Sequence, residues 1–271
     1  YSSPRAHYRN RVVLPLIFSS LSLAGYGFYH YWTIAHGRYN DFKLIFIIIG
    51  AVFFFQLFVG IFARTWKIRK TSDETIVSSF EPVVLVPVYN EDVNSLKETL
   101  NSILMQTRVP REVHVVDDGS KEKYEKIKKW FENAAKDSEI TVTWTRHDKN
   151  QGKRAAHVTA LSNMSKELKN DAIIITVDSD GVLDKRAIEQ GLIPFYDEEI
   201  QSVAGVMISR NATQNLLTRI MDWTFVTQAL VDRSTMSVFG NVLVNSGALA
   251  FYRYGVFQLA KEVGYTEEYF F

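Results

Sequence analysis

The sequence predicts an α/β domain with a mostly parallel sheet, preceded by two transmembrane helices. Three observations carry that prediction. Two long charge-free apolar runs lie early in the chain, short β-branched runs alternate with helical stripes from residue 82 onward, and a polar cluster follows each of those β-branched runs. Membrane helices need about 20 apolar residues, and strand–helix alternation implies right-handed crossovers between parallel strands. Whole-chain averages conceal this division: 46% of the 271 residues are hydrophobic and mean hydropathy is −0.08. The 31 Lys+Arg nearly balance 30 Asp+Glu, so a net charge of +1 gives no basic excess for nucleic acid. A content of 23% charged and 13% aromatic residues excludes wholesale disorder. Absence of cysteine excludes disulfides, Cys-ligated metal and a thiol nucleophile.

The first apolar run has no Asp, Glu, Lys or Arg from Val12 to Gly37, and the predicted span is about 12–34. The second, LIFIIIGAVFFFQLFVGIFA at 44–63, contains fifteen Leu, Ile, Val or Phe residues. At roughly −0.4 kcal/mol each these favour insertion by about 6 kcal/mol, enough to outweigh Gln56. Buried core helices are the other reading of such runs, but the flanks are those of membrane spans. Arg5, Arg9 and Arg11 precede the first run and Arg64, Lys67, Arg69 and Lys70 follow the second, whereas the connector holds only Arg38 and Lys43. The positive-inside rule then places both ends in the cytoplasm. Tyr26, Tyr29, Tyr31, Trp32 and Tyr39 gather at the connector end, with Trp66 at the opposite boundary. The first run is too long for a signal peptide and no small-residue cleavage site follows it. The expectation is a multi-pass protein of the cell membrane: a membrane region over 1–70, a polar linker over 71–81, and a cytoplasmic domain over 82–271.

Within that domain PVVLVPV (82–88) reads as a buried parallel strand. Leu96, Leu100, Ile103 and Leu104 form a helical stripe. EVHVVDD (112–118) is the second strand, KEKYEKIKKWFENAAK a helix, ITVTWTR (140–146) the third strand, GKRAAHVTALSNMSKEL a helix and AIIITVD (172–178) the fourth strand. Trp130 and Trp144 fit core positions, and His157 reads as packing. The helix from Asn215 to Val231 has a broad apolar face that fits either core or a membrane interface.

Ligands of such sheets bind beyond the C-terminal strand ends, where the polar clusters fall: Tyr89-Asn90-Glu91, Asp117-Asp118-Gly119-Ser120, Asn150-Gln151-Gly152-Lys153-Arg154 and Asp178-Ser179-Asp180. Asp-x-Asp after a buried strand supplies hard oxygens suited to Mg²⁺ or Mn²⁺ together with a diphosphate, although an isolated Asp-Ser-Asp also fits a plain surface turn. Lys153 and Arg154 open a helix behind a glycine, where free N–H groups, the helix dipole and two cations meet a phosphate; a solvated helix start is the alternative. Neither G-x-x-x-x-G-K-[ST] nor G-x-G-x-x-G occurs, which removes P-loop and dinucleotide chemistry. A metal–diphosphate site without either signature points to a nucleotide-sugar transferase, in which a metal stabilises the departing diphosphate and a carboxylate base activates the acceptor hydroxyl.

VPVYNE, VVDDGS, NQGKR, TVDSD and SGALAFYR, in this order, together with RNATQNLLTRIMDW (210–223), resemble the processive family 2 glycosyltransferases, most closely the bacterial-type hyaluronan synthases. The resemblance runs from about Pro82 to Arg253 and implies a GT-A type nucleotide-sugar-binding domain. It implies that Tyr89 and Glu91 line the uracil and ribose pocket, that Asp118 accepts a hydrogen bond from uracil N3, and that Lys153 lies near the diphosphate or donor sugar. Asp178 would support the donor and Asp180 would ligate Mn²⁺ or Mg²⁺. Asn245, Ser246 and Gly247 would lie where the acceptor enters, and Arg253 would either support that loop or simply pair on the sheet. The sequence departs from these synthases at Asn245, where they carry cysteine, at Ala248, where they carry proline, and at Gly181, where they carry threonine. Asn245 offers both donor and acceptor where a thiol offers little of either. The family's general base is expected beyond Phe271. The implied activity is transfer from UDP-GlcNAc and UDP-GlcA to a growing polysaccharide at membrane lipid, as in hyaluronan synthesis. A chitin-oligosaccharide or capsule polysaccharide synthase, and a non-catalytic UDP-sugar-binding membrane scaffold, remain alternatives.

Overall fold

The computed structural model describes residues 22, 25–27, 29–31, 41–61, 77–165, 172–240, 242, 245 and 247–257, with backbone alone at 41–47, 57, 60, 61 and 230. Apart from residues 22, 25–27 and 29–31, the expected span at 12–34 lies outside the described residues, as do the basic cluster from Arg64 to Lys70 with Trp66, most of the linker, and Ser246. Contacts group the chain into two compact units. One draws on Tyr1–Thr65 and Val206–Val244, the other on Trp66–Gly205 and Asn245–Phe271.

The second unit is the sheet domain. In chain order it contains β1 (Glu81–Val88), α2 (Val93–Leu104), β2 (Glu112–Asp117), α3 (Glu125–Lys136), β3 (Thr141–Arg146), α4 (Lys153–Ser162), β4 (Ala172–Val177), α5 (Ala187–Leu192), β5 (Ser202–Ala204) and β6 (Leu249–Arg253). The sheet order is β3-β2-β1-β4-β6-β5. Strands β1 to β4 are mutually parallel where they pair, and β6 runs antiparallel to both β4 and β5. The expected mostly parallel α/β sheet is therefore present, with an antiparallel edge that the sequence reading did not identify.

Side chains of β1 alternate between the two faces of the sheet as the two-residue strand period requires, and nearly all are buried. Val84, Val86 and Val88 join Leu96, Leu100 and Ile103 of α2 and Phe131 of α3 in one core. Val83 and Leu85 face the other way, onto Ala156, Ala160 and Leu161 of α4. Helices thus cover both faces, and each fully buried Leu, Ile or Phe contributes roughly 1.5–3 kcal/mol over leaving it exposed. Helix α2 is capped by Asp92, whose Oδ2 accepts from Asn94 N–H at 2.9 Å and Ser95 N–H at 3.0 Å. Helix α3 starts at Glu125 rather than Lys121 because the backbone there serves the strand-end loops instead: Lys121 N–H donates to Asn90 Oδ1 at 2.9 Å. Trp130 and Trp144 pack partly buried against the core, as expected.

In the first unit, α1 (Asp41–Ile61) is a 21-residue helix. Side chains are described over only part of its length, and among the described residues no helix is long and apolar enough to cross a membrane. The expected 215–231 helix is α6 (Leu216–Thr227), started by a reciprocal capping box between Asn215 and Thr218. It continues through a π turn (Gln228–Arg233) into α7 (Ser234–Val238). No residue of α6 is buried, and Leu216, Leu217, Ile220 and Trp223 are exposed, so its apolar face is not core among the described residues.

Candidate active site

Strand order places the switch point between β1 and β4: from β1 the chain goes to β2 on one side, and it later returns to β4 on the other. The crevice outside the carboxyl ends at such a point is where open α/β sheets bind ligands. Parallel register aligns those ends, with Val88 opposite Asp117 and Asp117 opposite Arg146. All four polar clusters therefore reach one rim.

At the end of β2 the two consecutive aspartates are each held by one of two consecutive residues, the last of β3 and the one after it. Asp117 pairs with Arg146, whose guanidinium also donates to the Ser120 carbonyl and, at 3.0 Å, to that of Glu122. Asp118 accepts from His147 Nδ1 at 2.7 Å and from the N–H groups of Gln151 and Gly152 at 2.9 and 2.8 Å. His147 Nε2 lies 2.8 Å from the Thr159 hydroxyl on α4, which fixes the ring. The Asp118 side chain is only 3% exposed. Backbone geometry makes this possible at two glycines. Gly119 has φ +73°, and a Cβ there would meet the backbone of Lys149 and Asn150 at 2.5–2.8 Å; Gly152 has φ +96° where the loop turns into α4.

At β1, Asn90 N–H donates to Ser120 Oγ at 2.9 Å and Tyr124 donates its hydroxyl hydrogen to the Glu91 carbonyl at 2.8 Å, so the first loop is tied to the second. Glu91 in turn accepts from the Ser179 hydroxyl at 2.9 Å, which brings the first loop against Asp178-Ser179-Asp180. Tyr89 stands half exposed at the mouth. Across the crevice Lys153 pairs with Asp178. Asp178 N–H donates to the Ala248 carbonyl at 3.2 Å, and a Cβ at Gly247 would lie 3.3 Å from Lys153 Nζ. The antiparallel entry of β6 thus delivers Gly247 to the same end, while Ser246 lies outside the described residues.

Asp180 is exposed and Asp178 partly so. Among the described residues no group of three or more His, Asp or Glu side chains stands together as a metal cage. His157 is buried in α4, and burial, followed by the nearby Lys153 charge, lowers its pKa to about 3; it packs as a neutral ring. Arg253 serves the far side of β6. It donates to the carbonyls of Ile200 at 2.8 Å, Asp197 at 3.2 Å and Phe195, and lies over the rings of Phe80 and Phe195. Of its two readings, sheet-side structure is the one observed. Sequence reasoning missed Ser179, Arg146 and His147, which fix the carboxylates; the only signal for the last two was their place at the end of the third strand.

Residues 83–259 match glycosyl transferase family 2. The chain is 33% identical over 247 residues to the hyaluronan synthase of Streptococcus pyogenes, covering 89% of this chain and 54% of that protein. It is 32% identical over 171 residues to an N-acetylglucosaminyltransferase of Azorhizobium caulinodans, covering 63% and 41% respectively. The chain spans about half the length of the curated relatives it matches. Among solved structures, the mannosyltransferase PcManGT of Pyrobaculum calidifontis, in complex with GDP-Man and Mn²⁺, has a TM-score of 0.55 at 20% identity over 80% of this chain and 57% of that one, a likeness of fold. The sheet domain is GT-A-like, and the chain belongs to glycosyl transferase family 2.

Proposed function

We propose that the protein is a membrane-bound processive glycosyltransferase that transfers sugars from UDP-GlcNAc and UDP-GlcA to a growing polysaccharide, in hyaluronan synthesis. One observation carries this reading: around the β1/β4 switch point the exposed Tyr89, the buried Asp118, the Lys153 cation and the Asp178-Ser179-Asp180 carboxylates share one rim. The 33% identity to a hyaluronan synthase supports the choice of sugars. A carboxylate has about four lone-pair sites. Three protein donors hold Asp118, leaving one for the N3–H of uracil. Tyr89 and Glu91 flank the nucleoside, and Lys153 releases Asp178 to meet the diphosphate.

The residues present fit a divalent cation. Asp180 is exposed beside Asp178, and Mg²⁺ or Mn²⁺ held by one or two carboxylates takes its remaining ligands from phosphates and water. When bound, such an ion neutralises the charge that develops on the departing UDP. Gly247, beside Lys153, marks the acceptor side, and Asn245, with its amide buried, precedes it in the chain.

Membrane residence is part of the proposal. Ile48, Ile49, Val52, Phe53, Phe54 and Phe58 of α1 are all exposed, and at 100° per residue they surround the helix instead of forming one stripe. The exposed apolar residues of α6 fit the membrane interface, and positive flanks put the sheet domain in the cytoplasm.

Full-length protein should convert UDP-GlcNAc and UDP-GlcA to a hyaluronidase-sensitive polymer only with Mn²⁺ or Mg²⁺ present. The similarity to an N-acetylglucosaminyltransferase favours one second reading, a chitin-oligosaccharide synthase, which polymerisation of UDP-GlcNAc alone would establish. UDP binding without any turnover would indicate a scaffold. Asp180→Asn should abolish turnover and weaken metal-dependent UDP binding; unchanged activity would overturn the metal assignment.

A further inference from the structure

Helix α2 buries two polar side chains, Thr99 and Ser102, and Gln106, just past its C-terminal end, is buried as well. Thr99 is 0%, Ser102 7% and Gln106 5% exposed. Thr99 and Ser102, at i and i+3, share one side of the helix, beside the fully buried Leu96, Leu100 and Ile103, and Gln106 follows after the helix has ended at Leu104. Buried polar groups need partners, and all three find them in the backbone of one segment, the chain just after β4. The Thr99 hydroxyl lies 2.9 Å from the Ser179 carbonyl and 3.1 Å from its own helix's Ser95 carbonyl. Ser102 Oγ donates to the Thr99 carbonyl at 2.7 Å and accepts from Leu183 N–H at 3.0 Å. Gln106 Nε2 donates to the Asp184 carbonyl at 2.7 Å, and its Oε1 accepts from Ile188 N–H at 3.0 Å. Thr107 N–H adds a bond to the Lys185 carbonyl at 2.9 Å.

The segment from Ser179 to Ile188 forms no strand and begins only its last residues as helix. Its course is therefore set from outside, by this file of side chains. Its first anchored group is the peptide between the two aspartates, because Thr99 takes the carbonyl of Ser179 while Glu91 takes its hydroxyl. The turn is closed by Gly181 N–H donating to the Asp178 carbonyl at 3.1 Å. Rotating the Ser179 peptide would swing Asp180 relative to Asp178.

We infer that Thr99 is a positioning residue that fixes the separation of the Asp178 and Asp180 carboxylates, with Ser102 and Gln106 anchoring the rest of the segment. The inference rests on the donor and metal reading above and deepens it. Helix α2 spans the β1-to-β2 crossover, so the geometry of a site at the end of β4 is stored in a different crossover.

The test uses the full chain purified in detergent, with Thr99→Val, Thr99→Ser and Gln106→Met. Valine keeps the shape of threonine and removes the hydroxyl; serine restores it. Without nucleotide, hydrogen exchange at the Asp180 and Gly181 amides should quicken about tenfold in Thr99→Val and return to within about twofold of the parent in Thr99→Ser. Calorimetry of UDP with Mn²⁺ should show affinity about tenfold weaker in Thr99→Val and restored in Thr99→Ser. Gln106→Met should quicken exchange at 184–188 and lower Tm while leaving UDP affinity within about twofold, which separates positioning from general loosening. Parent-like exchange at Gly181 in Thr99→Val, or equal losses of UDP affinity in Thr99→Val and Gln106→Met, would overturn the inference. If parent UDP binding is indifferent to Mn²⁺, the metal reading fails by itself, and the exchange measurement still decides the role of Thr99.

Discussion

Asp118 and His157 show how burial assigns opposite tasks to ionisable residues in one domain. The Asp118 carboxylate is surrounded by donors, two of them backbone N–H groups that cannot be turned round. Asp118→Asn would set an amide NH₂ against at least one of them, and urea unfolding should show a loss of ~1–3 kcal/mol. At His157 the surroundings instead disfavour a charge. Burial first, and the Lys153 charge second, lower its pKa from the usual 6.5 to about 3. The folded value lies below the unfolded one, so the associated stability is fully present above pH 6.5 and is lost as pH falls from there toward 3. The loss approaches about 1.4 kcal/mol per pH unit for one proton taken up on unfolding. Urea midpoints at pH 7 and 4.5 should therefore lie closer together in His157→Gln than in the parent. Glu112 follows the same sign by another route. Burial pushes its pKa up, but hydrogen bonds from His114 and Ser165 N–H together hold it below the usual 4.5. Its contribution is present above pH 4.5 and fades as the medium becomes more acid.

Among the elements, α2 shows what periodicity reveals and what it hides. Its apolar stripe at Leu96, Leu100 and Ile103 was legible because hydrophobic spacing alone defines a buried face. The polar side chains beside it, Thr99 and Ser102 on the helix and Gln106 after it, were not, because Thr, Ser and Gln read as solvent-facing until a partner segment covers them. The same limit hid β6. LAFYR is five residues without clear alternation, and only pairing with β4 and β5 makes it a strand. The four parallel strands and the rim they share were legible, since each is a β-branched run ending in a polar cluster. The partners inside that rim, Arg146 and His147 on Asp117 and Asp118, needed the β2/β3 register. The Asp92 cap tests α2 as an element: Asp92→Ala frees the Asn94 and Ser95 N–H groups and should lower unfolding stability by about 1 kcal/mol.

For the whole molecule, the division first seen as charge-free runs followed by a polar domain separates two kinds of surface. Helix α1 exposes Phe54 at 71% and Ile49 at 58%, whereas the central strands of the sheet are buried on both faces by helices. On the membrane reading proposed above, alkaline carbonate should leave the protein in the membrane pellet, and detergent should be required to release it. Recovery in the carbonate supernatant would show that the exposed apolar residues bind something other than lipid. Protease added to the cytoplasmic side of sealed vesicles should cut the sheet domain, and protease added to the other side should spare it.

The last consequence lies where the sheet lets the chain out. Ala204 of β5 pairs with Ala250 of β6, and Gly205 N–H donates to the Leu249 carbonyl at 2.8 Å. The chain therefore leaves the sheet after Gly205 and rejoins it at Leu249 through one hydrogen-bonded neck, with residues 206–244 grouping in the first unit and Asn245–Ala248 staying with the sheet domain. Closing such a loop becomes harder only with the logarithm of its length, by about 0.6 kcal/mol per doubling. The neck is in effect a socket: segments of quite different length and character can be exchanged there while the aspartates at the end of β4 keep their places.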